Sequence, residues 1–555
     1  MLQSRNLTAK QRRNQRLGKG GDPDLTGQQE TRLVAQGFQQ AHRLFDKAAR
    51  QWITRSRGPS SLIALTESRK MAREHRAGAA PGDSSFQLLK NWIAIIIGIV
   101  IAYQIATLGR QGLWFDELFT VVATLPERSL TEIFHTYLLN EQTPPLHYLL
   151  MHFWQLIAPP GDWSMRLPGL FFYLLTIAAA ALYPCRAINT PTRITFVALV
   201  GCSFGTIYFA QEVRTYYLLS LVAICILYDI IDHAVVLDNG DQPSWTRLTW
   251  SAMVGLIASY SHYFGYLFFG GGIFAVLCYS IARGRMPWRI VILGGAVVLG
   301  FLPWIVIQSS FLVREGLNTS YLILPIAVLR GFLRLLVGSP FAAALLAILG
   351  VWALSLHARA VLAIPALRLT LAVIAINSMA AIAIFLYSPI VDARHLVGLR
   401  MATLLAFALV ISEILNDRRA QALLIATAAT LFVSFIMTQQ PKPSWREPAA
   451  YIIDHTRCER REILFYAGMG LPAWALSYYL PVKRFPLKYS EFDSSVVQDL
   501  GQLDEARPGC DVVAIALNLW SAADWQAALA ATPFRGPGFH LQEWPFAFVV
   551  RQISQ

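Results

Sequence analysis

Beyond residue 87 the hydrophobic pattern is neither the alternation of a strand nor the one-sided stripe of a surface helix. Runs of about twenty apolar residues follow one another, separated by short polar breaks, which is the length a helix needs to cross a bilayer. About eleven spans are predicted, at 88–108, 167–184, 192–209, 214–236, 247–262, 264–283, 289–308, 339–357, 367–387, 395–415 and 419–438. The stretch "YLILPIAVLRGFLRLLVG" at 321–338 sets Arg330 and Arg334 four residues apart, which suits a helix lying at the interface better than a span. Before residue 88 the clearest pattern is Val34, Phe38, Ala41, Phe45, Ala48 and Trp52. Their spacings of four and three predict an amphipathic helix suited to anionic lipid or a partner helix.

After residue 438 the apolar runs shorten. "EILFYAG", "DVVAIAL" and "FAFVVRQI" read as buried strands, and "REPAAYIIDH", "PAWALSYYL" and "ADWQAALAA" carry helical spacing, which together predict a small α/β domain. Three regions result: a basic N-terminal extension over 1–87, a membrane domain over 88–438 and an α/β domain over 439–555.

Composition agrees with this class: the 555 residues are 55% hydrophobic and only 15% charged, a balance that excludes an ordinary soluble enzyme. The formal charge of +13 is concentrated at the start, with 16 Lys+Arg against 7 Asp+Glu in residues 1–85. It is therefore a topology signal, marking a cytoplasmic N-terminus, and nothing in it points to nucleic acid. The breaks "CRAINTPTR", "DNGDQPSWTR", "ARGRMPWR", "HARAVLAIPALR" and "NDRRAQ" each carry Arg and belong on the same cytoplasmic side. An odd number of spans then sends residues 113–166, the "QEVR", "SHYFG" and "SPIVDARH" turns and the whole tail to the outer face of the inner (plasma) membrane. Of the cysteines, Cys185, Cys202, Cys225 and Cys278 sit in or beside spans. Cys458 and Cys510 each precede a predicted strand in an oxidising compartment that permits a disulfide between them.

The outer-face breaks hold the chemistry. "LWFDELFTVV" places Asp116 and Glu117 among apolar residues at a membrane boundary, where ionised carboxylates are costly unless partnered or wet. One such acid is explained by helix N-terminal charge or a salt bridge to Arg110. A convergence of Asp116, Glu117 and Glu141 with His262 and several arginines on one face is better explained as a catalytic site. The first outer loop is also long and rich in aromatic residues and Leu, as helices lying along the membrane surface would be.

The order of motifs, "DE", "ExxPPLHY", "RLPG", "QEVRTYYLL", "SHYFGYLF" and "ARHLVG", resembles the type C (GT-C) glycosyltransferases. The branch it is similar to is the bacterial one that includes protein O-mannosyltransferases and lipid A aminoarabinose transferases. The resemblance covers about residues 88–450. It implies a GT-C-like fold and transfer of a sugar, with inversion, from a polyprenyl-phosphate donor to an envelope glycan, lipid or protein acceptor. It further implies Asp116 as general base, Glu117 as its orienting partner, and Arg214 and Arg394 as phosphate contacts, with Glu141 and Tyr263 also contacting substrate. Glu141 and His262 stand where that branch holds a divalent cation, here Zn, Mn or Mg. Arg166 either binds acceptor or anchors a span at the interface. Two departures stand out: Gln142 replaces a Lys, and His395 replaces a Tyr. The competing class is a lipid or solute transporter, which predicts ionisable groups within the spans and internal repetition. The spans hold few ionisable groups, and this favours the enzyme.

Overall fold

The structure, a computed structural model, describes residues 83–140, 143–316, 324–387, 391–439, 442, 444–455, 463–467, 478–480, 487–490, 513–517, 539–544 and 547–552. The amphipathic pattern at 34–52, Glu141, Cys458, Cys510, "ADWQAALAA" and most of "PAWALSYYL" lie outside these residues.

The membrane region is helical throughout. Helix α1 (Asp83–Thr107) leads into a first loop that carries α2 (Phe115–Ala123), a helical stretch over 130–140 with a π-helical turn at Ile133–Tyr137, and α3 (Leu146–Gln155). Then follow α4 (Asp162–Leu182), α5 (Thr190–Cys202), α6 (Phe204–Ala210), α7 (Tyr216–Asp238), α8 (Trp245–Ser261), α9 (Tyr263–Ile281) and α10 (Trp288–Gly316). Last come α11 (Pro325–Val337), α12 (Pro340–Ala363), α13 (Pro365–Tyr387), α14 (Val397–Ile411), α15 (Arg418–Thr438) and α16 (Arg446–His455).

Among the described residues, 9 helices are long and apolar enough to cross a membrane, or 10 if the α5–α6 pair counts as one span. That pair corrects the expectation of a continuous span at 192–209. Ser203 leaves the helical region at ψ 140°, and the two helices meet at a bend of 56°. The predicted span at 247–262 is α8, whose 17 residues rise about 25 Å, short of the roughly 30 Å hydrocarbon core. Helix α11 has only 13 residues, ends at Gly338 with φ 75°, and buries only Leu336 and Val337. It is too short to span, as the Arg330 and Arg334 spacing suggested.

Helix α7 is the central span, buried nearly all round against α4, α8, α9 and α14. Helices α10, α12 and α13 instead expose Leu, Ile and Val on their outer faces, as lipid-facing spans do. In the tail a mixed five-stranded sheet has the order β2-β1-β3-β5-β4. Its strands are β1 (Ile463–Ala467), β2 (Leu487–Ser490), β3 (Val513–Leu517), β4 (Phe539–Trp544) and β5 (Ala547–Gln552). The three runs read as strands in the sequence are β1, β3 and β5. β1 and β3 pair in parallel, with Ile463 opposite Val513.

One set of helix ends is cross-linked by polar contacts. Gln211 Nε2 donates to Thr107 Oγ1 at 2.8 Å, Thr215 Oγ1 to the Ser261 carbonyl at 3.0 Å, and Arg446 Nη1 to the Gly109 carbonyl at 2.9 Å. The outer-loop candidates, the 211–215 turn, the α8–α9 turn and the chain after α15 therefore share one face. Cysteine labelling checks this directly. A probe at position 286, between α9 and α10, should react only from the opposite side of the membrane to one at position 447. Labelling of both from the same side would overturn the arrangement.

Candidate active site at the converging helix ends

Asp116 and Glu117 occupy the first turn of α2, where consecutive side chains point about 100° apart. One turns inward and the other outward. Glu117 is fully buried and accepts from Arg166 Nε at 3.0 Å and Arg166 Nη2 at 2.7 Å. It also accepts from the backbone N–H of Val213 at 2.9 Å and of Trp114 at 3.2 Å. Burial alone would raise its pKa. The Arg166 and Lys442 charges and the bonds from Arg166 and Val213 outweigh that and hold the carboxyl below its ordinary value.

Arg166 uses every N–H it has. Beyond the fork to Glu117, Nη1 donates to the Leu108 carbonyl at 3.2 Å and the Gln111 carbonyl at 2.6 Å, and Nη2 to the Gly112 carbonyl at 3.0 Å. Both expectations for Arg166 are thereby corrected: it has no donor left for an acceptor, and it does not anchor at the interface, being only 2% exposed. It positions the loop from which α2 starts. Glu117 likewise has no lone pair directed at a ligand. The rest of "RLPG" is also architectural. Pro168 has no N–H to give the Ser164 carbonyl, which takes the Trp154 indole N–H instead at 3.0 Å. A Cβ on Gly169 would meet the Ala210 carbonyl oxygen at 2.5 Å, so glycine is needed where α4 passes α6.

Asp116 faces outward, its side chain 21% exposed, with Oδ2 2.8 Å from Arg394 Nη1. Arg394 is shared with Asp392 at 2.9 Å, and Arg214 Nη1 donates to the backbone carbonyl of Asp116 at 3.4 Å. Arg214 and Arg394, the expected phosphate contacts, thus stand beside Asp116. Beneath them lie two imidazoles: His262 in the α8–α9 turn and His395 in a 3₁₀ turn before α14, with ring centroids 5.1 Å apart. His395 had no assigned role in the sequence. It stacks on Phe264 and borders a small cavity between α9, α13 and α14 whose lining includes Leu267, Phe268, Asn377 and Leu399.

His262 caps α9: its Nδ1 accepts the Phe264 N–H at 3.1 Å. Burial, then His395, Arg214 and Arg394, push its pKa well below the ordinary value, so the ring is neutral with its proton on Nε2. Metal ligation through Nε2 would need the proton on Nδ1, facing the Phe264 N–H. His262 as placed therefore fits a hydrogen-bond donor and does not fit a metal ligand. Its expected co-ligand Glu141 lies outside the described residues, and among those residues no group of three or more His, Cys, Asp or Glu could hold a metal.

Tyr263 lies apart from Asp116, in an aromatic cluster with Phe301 and Trp304, where its hydroxyl accepts the Trp304 indole N–H at 3.1 Å. Two buried groups were missed in the sequence. His147 of "PPLHY" donates from Nε2 to the Val213 carbonyl at 3.4 Å and accepts from Tyr217 at Nδ1, its pKa pushed down to about 3 by burial and Arg214. Lys442 pairs with Glu212 at 2.8 Å. Position in "PPLHY" was a signal for the first. Nothing local marked the second.

The buried pair generates a stability prediction. Glu117→Gln leaves Arg166 unbalanced and should cost about 3–5 kcal/mol, read by thermal unfolding in detergent. Arg166→Lys should not rescue the fold, because an ammonium lacks the five-donor fork. Glu117 has a folded pKa below the unfolded value of about 4.3, so its contribution is complete above that pH and is lost as pH falls through the folded pKa. The wild type should lose stability on acidification more steeply than Glu117→Gln.

Neither a protein-family model nor a curated protein matches this chain. Its fold is similar to that of ArnT from Cupriavidus metallidurans, solved both bound to undecaprenyl phosphate and in the apo state. Each comparison gives a TM-score of 0.50 and 13% sequence identity over 84% of this chain and 98% of that one. At that identity the likeness is one of fold alone: the chain has an ArnT-like polytopic helical fold.

Proposed function

We propose that this protein is a membrane glycosyltransferase that moves a sugar from a polyprenyl-phosphate donor to an envelope glycan, lipid or protein acceptor. One observation carries the reading: a part-exposed carboxylate, Asp116, held in contact with two arginines. Transfer from a sugar phosphate needs that combination, with the phosphate at the arginines and the acceptor hydroxyl at the carboxylate. The ArnT structure with undecaprenyl phosphate, on the same fold, supports this donor class.

The chemistry follows from the groups present. The acceptor oxygen attacks the anomeric carbon from the side opposite the phosphate, which inverts that carbon. Asp116 takes the hydroxyl proton as the C–O bond to phosphate breaks and the electron pair leaves on the phosphate. The leaving group is already acidic, so neutralisation by Arg394 and Arg214 matters more than protonation, and the Nε2–H of His262 suits an oxygen of the same anion. Arg394 is held by Asp116 and Asp392. A donor phosphate competes for that guanidinium and releases Asp116 to act as base, which favours donor binding before acceptor.

Asp116→Asn keeps the size of the side chain and removes its basicity. Turnover should fall by about two to four orders of magnitude with donor affinity nearly unchanged, measured on purified protein with a prenyl-phosphate sugar. Near wild-type turnover would remove Asp116 from the chemistry, and lost donor binding would make it a phosphate-site residue. Exhaustive chelation should leave most of the transfer intact if the arginines neutralise the phosphate. Loss of transfer, restored by Zn, Mn or Mg, would return Glu141 and His262 to the ligand role.

A further inference from the structure

The loop 108–113 that delivers Asp116 has no helix or strand to satisfy its carbonyls, and two guanidiniums collect them. Arg166 takes those of Leu108, Gln111 and Gly112. Arg446, from the chain after the last span, takes the two between: Gly109 from Nη1 at 2.9 Å and Arg110 from Nη2 at 2.7 Å. Arg446 Nη1 also pairs with Asp162 at 3.1 Å. The tail approaches so closely that a Cβ on Gly112 would meet Ser444 Oγ at 2.3 Å. Tyr479 adds a second tie, its hydroxyl accepting the Leu113 N–H at 2.7 Å and donating to Asp162 at 2.8 Å.

The same tail holds the other wall of the site. Lys442 Nζ pairs with Glu212 at 2.8 Å, both side chains nearly buried. Glu212 belongs to the turn whose next residues are Val213, which donates to Glu117, and Arg214, which reaches the Asp116 carbonyl. Trp445, Ala449 and Leu480 then pack with Leu113, Leu118, Met165 and Val213 in one apolar cluster. Tail, loop and turn are thus one packed unit.

We propose that the chain beyond α15 is a working part of the catalytic site, with Arg446 and Lys442 as positioning residues. Arg446 fixes the 108–112 loop, and hence Asp116. Lys442 fixes the 211–215 turn, and hence Arg214. Neither touches the reacting atoms. Placement errors of about 1 Å from such remote groups can cost about a hundredfold in rate. The kinetic arm of the test rests on the transferase reading, whereas the structural arm does not.

The test uses full-length protein in lipid nanodiscs. Arg446→Met is compared with the double variant Lys442→Met, Glu212→Gln, which removes both charges together and leaves no buried orphan, and with Lys442→Arg as the conservative rescue. Amide exchange by mass spectrometry should rise in peptides covering 108–115 for Arg446→Met and 211–215 for the double variant, and stay as wild type elsewhere. Transfer kcat should fall about ten- to a hundredfold, with donor KM within about threefold. Lys442→Arg should recover most of both. Unchanged exchange in those two peptides, a rise spread over the whole chain, or full kcat despite local loosening would each overturn the proposal. If the wild type transfers no sugar, the transferase reading fails and the exchange data still decide whether the tail holds the two segments.

Discussion

The buried ion pair between Glu117 and Arg166 is the constraint from which the rest of the site follows. A charge pair in a membrane-edge core is tolerable only when its lone pairs and protons are all used, and here they are. Each bond that satisfies it also fixes something else. The bonds from Arg166 hold the carbonyls of the loop before α2, and the bond from Val213 ties in the turn before α7. Removing one partner would free both segments at once, because the pair is their common anchor.

That anchoring makes two neighbouring acids behave differently. Glu117 is spent on architecture, while Asp116, one residue earlier in the same turn, is held by Arg394. One helical position, a turn of about 100°, is enough for Asp116 to face away from that buried pair and toward Arg394. A histidine that caps a helix through Nδ1 is oriented by the backbone, as His262 is at the start of α9. Among the described residues, Asp116 and Asp392 are the carboxylates that share Arg394.

Sequence made the membrane architecture legible because about twenty apolar residues can do little else in a chain of this composition. The same reasoning recognised α11 as interfacial, since Arg330 and Arg334 have no place in a 13-residue apolar crossing. It missed the break at Ser203, where one extended residue bends a helix without interrupting the apolar run. In the site, residue types singled out Asp116, Arg214 and Arg394, which the structure places in contact with one another. Adjacent positions could not reveal that Glu117 faces inward, and "RLPG" could not reveal that Arg166 closes on an acid 49 residues earlier. Lys442 and Arg446 were illegible for the same reason: their partners lie 230 and 337 residues away, and no local pattern marks a contact of that range.

The proposed function, with Asp116 as base beside two phosphate-binding arginines on an ArnT-like fold, makes one claim about the cell: a sugar leaves a prenyl phosphate here and reaches an envelope acceptor. Mass spectrometry of envelope glycans and prenyl-phosphate sugars, with and without this protein, tests that claim most directly. The account predicts that one sugar disappears from an envelope product while its lipid-linked donor accumulates. Unchanged envelope sugars together with an unchanged donor pool would contradict it.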